Sequence, residues 1–98
     1  MPREHRRLTE QEIEQRLEEI PGWELVDGKL HRVFRFEGFA EAFGFMTALA
    51  LVAESRDHHP EWSNVYNRVV VDLRTHDVDG ISQKDFDLAF KANELFGQ

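Results

Sequence analysis

Three of the five histidines occupy positions suited to chemistry. His58 and His59 are adjacent and precede Pro60, and His76 ends a run of alternating apolar and polar residues. Glu54, Asp57, Asp72, Asp77 and Asp85 surround them in sequence. A histidine of ordinary pKa near 6.5 is about a quarter protonated at pH 7, so it can give or take a proton, and a carboxylate on one ring nitrogen fixes its tautomer. Histidines and carboxylates in this mixture are the parts of an acid/base site. Trp62 and Tyr66 would supply the flat surface that holds a heteroaromatic ligand by stacking while polar groups read its periphery. In a small domain the same two aromatics also serve packing.

Other chemistry remains compatible with these residues. A histidine at a helix end or strand end is often a hydrogen-bonded structural group. Three histidines and a carboxylate also match the ligand preferences of zinc. Against zinc, adjacent side chains such as His58 and His59 point in different directions in extended backbone, and neither His-x-His nor helical His-x-x-x-His spacing is present. His5 and His31 have no supporting neighbours in sequence and are expected to be solvated, as is the arm carrying Arg3, Arg6 and Arg7.

The elements that must position these groups follow from periodicity. Thr9-Glu10-Gln11-Glu12 is a capping box, with Leu8 and Ile13 placed as a hydrophobic staple, and Ile13, Leu17 and Ile20 continue a helical stripe to Pro21-Gly22. Strands over Trp23 to Val26 and Leu30 to Phe36 flank Asp27-Gly28, a pair suited to a two-residue hairpin turn. From Phe39 to Ser55 the period is helical again, with apolar residues most of the way round: Phe39, Phe43, Met46, Ala50 and Ala53 on one side, Phe45, Leu49 and Val52 on the other. One face can cover a sheet, and the second, with Leu49, is expected against another subunit. Pro60 then ends helical structure upstream of it. Strands over Ser63 to Tyr66 and Arg68 to Thr75 meet at Asn67, with Val69, Val71, Leu73 and Thr75 on one face, and Ser82 caps a last helix striped by Phe86, Ala89 and Phe90. Phe34, Phe36, Phe43, Phe86 and Phe90 are assigned to the core. The order αββαββα predicts an α+β two-layer sandwich, with three helices on one face of a four-stranded antiparallel sheet. Residues 1–7 are read as an arm and 8–98 as a single domain.

Composition excludes several classes. Over 98 residues, 41% hydrophobic and 32% charged content describe a folded soluble chain. Nineteen acidic against twelve basic residues, a formal charge of -7, disfavour direct nucleic-acid binding. Cysteine is absent, so disulfides and thiolate metal sites are ruled out. The uncharged run Ala42 to Ala53 is interrupted by no charge yet too short for a bilayer, no export signal is visible, and a cytoplasmic location is expected.

The stretch Glu54 to Asn67, followed by Leu73-Arg74-Thr75-His76-Asp77 and then Asp85, strongly resembles the signature of the pterin-4a-carbinolamine dehydratases, reading E-x3-H-H-P-x5-Y-x9-H-x8-D without a gap. Gly22-Trp23, Ala42 to Thr47 and Gly80-Ile81-Ser82 are similar to that family as well. The resemblance implies the same αββαββα fold and dehydration of 4a-hydroxytetrahydropterin, the product of a pterin-dependent aromatic amino acid hydroxylase, to quinonoid dihydropterin. It implies no metal or organic cofactor. By similarity His58 and His76 transfer protons on the two sides of the ring and His59 orients the pterin. Asp57, Pro60, Trp62, Arg74, Thr75 and Asp77 would line the pocket, with Glu54 and Asp85 supporting the histidines or the loop backbone. It also implies a homodimer or homotetramer through the helix Phe39 to Ser55. Animal members of the family use that helix to dock on a homeodomain transcription factor, so an interaction protein is the alternative reading.

Overall fold

In the computed structural model, which describes residues 6–97, the chain folds as α1 (Glu10–Arg16), β1 (Glu24–Val26), β2 (Lys29–Arg35), α2 (Phe39–Ser55), β3 (Glu61–Val65), β4 (Arg68–Leu73) and α3 (Gln83–Phe96). Arg3 and His5 lie outside the described residues. The strands form one antiparallel sheet in the order β1-β2-β4-β3. Leu30, Phe34, Val69, Val71 and Leu73 point from it into a single core shared with Ile13, Phe45, Leu49, Phe86, Leu88 and Ala92. The helices therefore cover one face, as the alternation of β2 and β4 requires.

Local chemistry accounts for the element ends. The Thr9 hydroxyl accepts from Glu12 N at 3.1 Å while Glu12 Oε1 accepts from Thr9 N at 2.9 Å, closing the predicted capping box. Arg6 donates to both oxygens of Glu12 at 3.0 and 2.9 Å, so it is not the free solvated cation expected of the arm. Those bonds, with the Thr9 amide, hold the Glu12 carboxyl down from 4.5 to about 2. The first helix is shorter than its apolar stripe suggests. It tightens into a 3₁₀ turn at Leu17–Glu19, because Pro21 excludes helical backbone at Ile20. Asp27 (φ 51°) and Gly28 (φ 78°) form the predicted hairpin turn, both in the left-handed region such a turn demands. In the second hairpin Tyr66 (φ 53°) carries the left-handed residue beside Asn67.

Three side chains depart from expectation. Leu49 is fully buried against the sheet, so it belongs to the core and not to a subunit contact. Phe43, assigned to the core, is 55% exposed, and with Phe39, the exposed Thr47 and Leu51 (69%) it forms an outward row of α2 at i, i+4 spacing. Phe90, likewise assigned to the core, is half-exposed because α3 turns Ala89 and Phe86 inward and leaves Phe90 beyond their edge. Arg32 lies on the buried face of β2 between Leu30 and Phe34. Its Nη1 donates to Pro21 O at 2.8 Å and Asn93 Oδ1 at 2.7 Å, and its guanidinium stacks 4.4 Å above Phe34 and 5.0 Å from Phe96. Burial pushes the Arg32 guanidinium below its usual range. Asn93 Oδ1 also accepts from Trp23 Nε1 at 2.8 Å, tying the loop after α1 to the end of α3. Gly22 (φ 91°) is required there, since a Cβ would sit 2.6 Å from Arg32.

Candidate active site

The turn that presents His58 and His59 is a helix stop. Asp57 adopts φ 50°, His58 N donates to Ala53 O at 3.1 Å and Asp57 N to Glu54 O at 3.2 Å. This is a Schellman arrangement with aspartate where glycine is usual. α2 thus ends at Ser55, capped by Arg56, ahead of Pro60. At the same end of the sheet, where Glu61 pairs with Asp72, Thr75 N donates to Gly80 O at 2.8 Å and Gly80 N returns a bond to Thr75 O at 3.3 Å, closing a loop that displays His76.

Both loops converge on Asp85, which is fully buried at the first turn of α3. His58 Nε2 donates to its Oδ1 at 2.6 Å. Thr75 Oγ1 donates to its Oδ2 at 2.7 Å, and Ser82 N donates to the same oxygen at 2.9 Å. His58 is only 8% exposed, because its ring is drawn in to this carboxylate. Among the described residues Nδ1 of His58 has no partner, yet no buried polar side-chain atom is left unsatisfied, so Nδ1 reaches the surface. His58 also lines an open groove of about 580 Å³, with the apolar Ile20, Phe86 and Phe90 and the charged Glu19, Arg56, Lys84 and Asp87 around it.

The other two histidines are exposed and separately partnered. His59 Nε2 donates to Glu54 Oε1 at 2.9 Å. His76, 73% exposed, has Nε2 3.8 Å from Glu61 Oε2 and Nδ1 3.5 Å from Arg74 Nη1. Lys29 Nζ donates to Glu61 Oε1 at 2.5 Å. That bond holds the Glu61 carboxyl below its usual range, with the positive fields of His76 and Arg74 adding to it. Arg74 also pairs with Asp79.

The structure therefore gathers His58, Thr75 and Asp85 directly, His59 with Glu54, and His76 with Arg74. His58 is the one expected substrate-contacting residue that lines the groove. Thr75 is buried with its hydroxyl committed, Trp62 packs half-buried on the inward side of β3, and Asp57 and Asp77 are exposed. Ser82, Glu61 and Lys29 were not singled out for the site by sequence. Ser82-Gln83-Lys84-Asp85 does carry the capping-box pattern that would have revealed the tie between Ser82 and Asp85. His31, expected to be solvated, pairs through Nδ1 with Asp72 Oδ1 at 2.8 Å across the β2–β4 register. Among the described residues no group of three or more His, Asp or Glu side chains is placed to hold a metal ion. Nor is any described helix long and apolar enough to cross a membrane.

Comparison with known proteins bears on this arrangement. The family model described as pterin 4 alpha carbinolamine dehydratase matches residues 6–95. A protein of Solibacter usitatus (strain Ellin6076), which bears the name pterin-4-alpha-carbinolamine dehydratase provisionally, is 55% identical over 91% of this chain and 94% of its own. One of Rhodopseudomonas palustris (strain HaA2), named in the same way, is 53% identical over 94% and 93% of the two chains. A crystal structure described as a transcriptional coactivator/pterin dehydratase from Brucella melitensis superposes with a TM-score of 0.91 at 48% identity, covering 94% of this chain and all of that one. With its histidine loops joined through Asp85 on a fold shared at that level, the chain belongs to the pterin 4 alpha carbinolamine dehydratase family.

Proposed function

We propose that the chain dehydrates 4a-hydroxytetrahydropterin to quinonoid dihydropterin, acting after a pterin-dependent hydroxylase in the cytoplasm. The reaction breaks the C4a–O bond while the lone pair of the adjacent ring nitrogen forms a C=N bond, and that nitrogen gives up its proton. One group must protonate the departing hydroxyl and another must accept the ring proton. The observation that carries this reading is the His58–Asp85 pair: Asp85 holds Nε2–H, which leaves Nδ1 as the proton-transfer atom of a ring that lines the groove. The family resemblance assigns the second proton transfer to His76 and the orientation of the pterin to His59, steadied by Glu54; both are exposed and stand outside the lining of the groove. The apolar groove wall suits a flat heteroaromatic ring. The test is the decay of freshly generated 4a-hydroxytetrahydropterin with and without protein, in the presence of EDTA. Acceleration that survives the chelator is expected, and an unchanged rate with folded protein would refute the proposal.

The outward row Phe39, Phe43 and Leu51 supports self-association through α2, as a homodimer or homotetramer. The coactivator description of the Brucella melitensis relative favours, as a second reading, docking of that row on a foreign helix.

A further inference from the structure

Thr75 and Ser82 carry hydroxyls that the proposed reaction does not use, and both are buried. Thr75 Oγ1 and Ser82 Oγ lie 2.6 Å apart, and Thr75 Oγ1 lies 2.7 Å from Asp85 Oδ2. A hydroxyl has one proton to donate. A carboxylate is acceptor-only, so Thr75 must spend its proton on Asp85, and the proton between the two hydroxyls must then come from Ser82. Ser82 Oγ in turn accepts from Lys84 N at 3.2 Å. The chain of donors therefore has one direction: Ser82 O–H to Thr75 O–H to Asp85, with His58 Nε2–H arriving from the opposite side.

We infer that Thr75 and Ser82 are positioning residues which lock His58 in its Nε2–H tautomer. With Oδ2 occupied by Thr75 and by the Ser82 amide, the carboxylate cannot rotate, and Oδ1 is held against His58 Nε2. The ring plane and the exposed Nδ1 follow from that. Without Thr75 Oγ1 the carboxylate has room to swing toward Ser82 Oγ, and the ring is freed to exchange tautomers. The charged groups around the groove, Glu19, Arg56, Lys84 and Asp87, make no hydrogen bond to the ring, so Asp85 is its sole polar anchor among the described residues. The fixed loop Thr75–Gly80 means the same threonine that anchors Asp85 also sets where His76 begins.

The kinetic consequence rests on the dehydratase reading, and the spectroscopic one does not. Thr75→Val keeps the β-branched shape and removes the donor, while Thr75→Ser restores it. Ser82→Gly removes the hydroxyl but leaves a residue tolerated at a helix N-cap. Nitrogen-15 shifts of the His58 ring should show Nε2–H in the native chain and a tautomer mixture in Thr75→Val and Ser82→Gly, reverting in Thr75→Ser. Alongside, kcat should fall about tenfold in the first two variants with KM little changed, as for other groups that orient a reacting side chain. An unchanged tautomer in both folded variants, or a Thr75→Ser chain that behaves like Thr75→Val, overturns the inference. A native chain without dehydratase activity but with the tautomer response would overturn the proposed reaction and leave the positioning role standing.

Discussion

Asp85→Asn separates the charge of this residue from its shape. Asparagine presents one oxygen and one NH₂, whereas Asp85 Oδ2 accepts from Thr75 Oγ1 and Ser82 N and Oδ1 accepts from His58 Nε2. The amide oxygen satisfies more donors on the Thr75 side, which turns NH₂ toward the imidazole. Two donors cannot face each other at 2.6 Å, so the ring must move its proton to Nδ1 and accept at Nε2. The groove then meets N–H in place of a lone pair. Three charge-assisted bonds become neutral ones, a loss of about 2 kcal/mol in all, which lowers Tm by about 8–16 °C in a domain of this size. Proton transfer by a placed histidine contributes about 10²–10⁴-fold, so kcat should drop at least 100-fold, about 2.7 kcal/mol of barrier. In the serine-protease triad the equivalent exchange leaves the geometry intact and lowers kcat about 10⁴-fold for the same tautomeric reason. Stopped-flow decay of the 4a-hydroxy substrate measures the rate, and urea unfolding measures the stability. A variant whose rate stays within about twofold of the native chain, with His58 still protonated at Nε2, would refute the reasoning.

His58→Ala should lose both rate and stability, leaving the buried Asp85 short of a donor, whereas His76→Ala, at a largely exposed site, should lose rate while its unfolding midpoint shifts by less than about 0.5 kcal/mol equivalent. Leu51→Glu should give a smaller species by light scattering at unchanged fold, while Leu49→Ala, in the core, should cost about 2–5 kcal/mol, seen by urea unfolding with no route through association. Glu12 has a folded pKa held down to about 2, so its bonds to Arg6 and Thr9 stabilise the chain fully above about 4.5 and lose that effect as pH falls toward 2. The stability gap between the native chain and Glu12→Gln should accordingly close over that window in acid titrations, and a gap that widens there would be inconsistent with the assignment.

Much of this architecture is legible from local pattern. The capped starts of α1 and α3, the Asp27-Gly28 hairpin, the span of α2 and the inward face of β4 each depend on residues within a few positions of one another. The misplacements arise where a neighbour distant in sequence decides. α2 is apolar almost all round, so its periodicity marks a helix without saying whether Leu49 or Leu51 faces the sheet; Ala42, Phe45, Leu49 and Ala53 turn inward because their stripe meets β4 and α3. His31 finds Asp72 only through the β2–β4 register. Arg32 is held by Asn93 and the Pro21 carbonyl, neither of which is near it in the chain. At the site, the histidines announce themselves by type and loop position, but the depth of His58 and the roles of Ser82 and Thr75 emerge only once α3 brings Asp85 under both loops.

The order of the strands also governs how the chain reaches this state. β1–β2 and β3–β4 are hairpins that close over two-residue turns, but the central pairing of β2 with β4 joins strands separated by all of α2 and β3. Closing that seam carries the chain-entropy cost of a long loop before any non-local contact compensates it, so it sets the folding rate. The bonds of Asn93 to Trp23 and Arg32 span 70 and 61 positions and need both the seam and α3 in place. Interactions made after the transition state slow escape from the native basin and do little for entry into it. The Asn93 clamp is therefore a determinant of how long the folded chain lasts, while the β2–β4 seam determines how fast it forms.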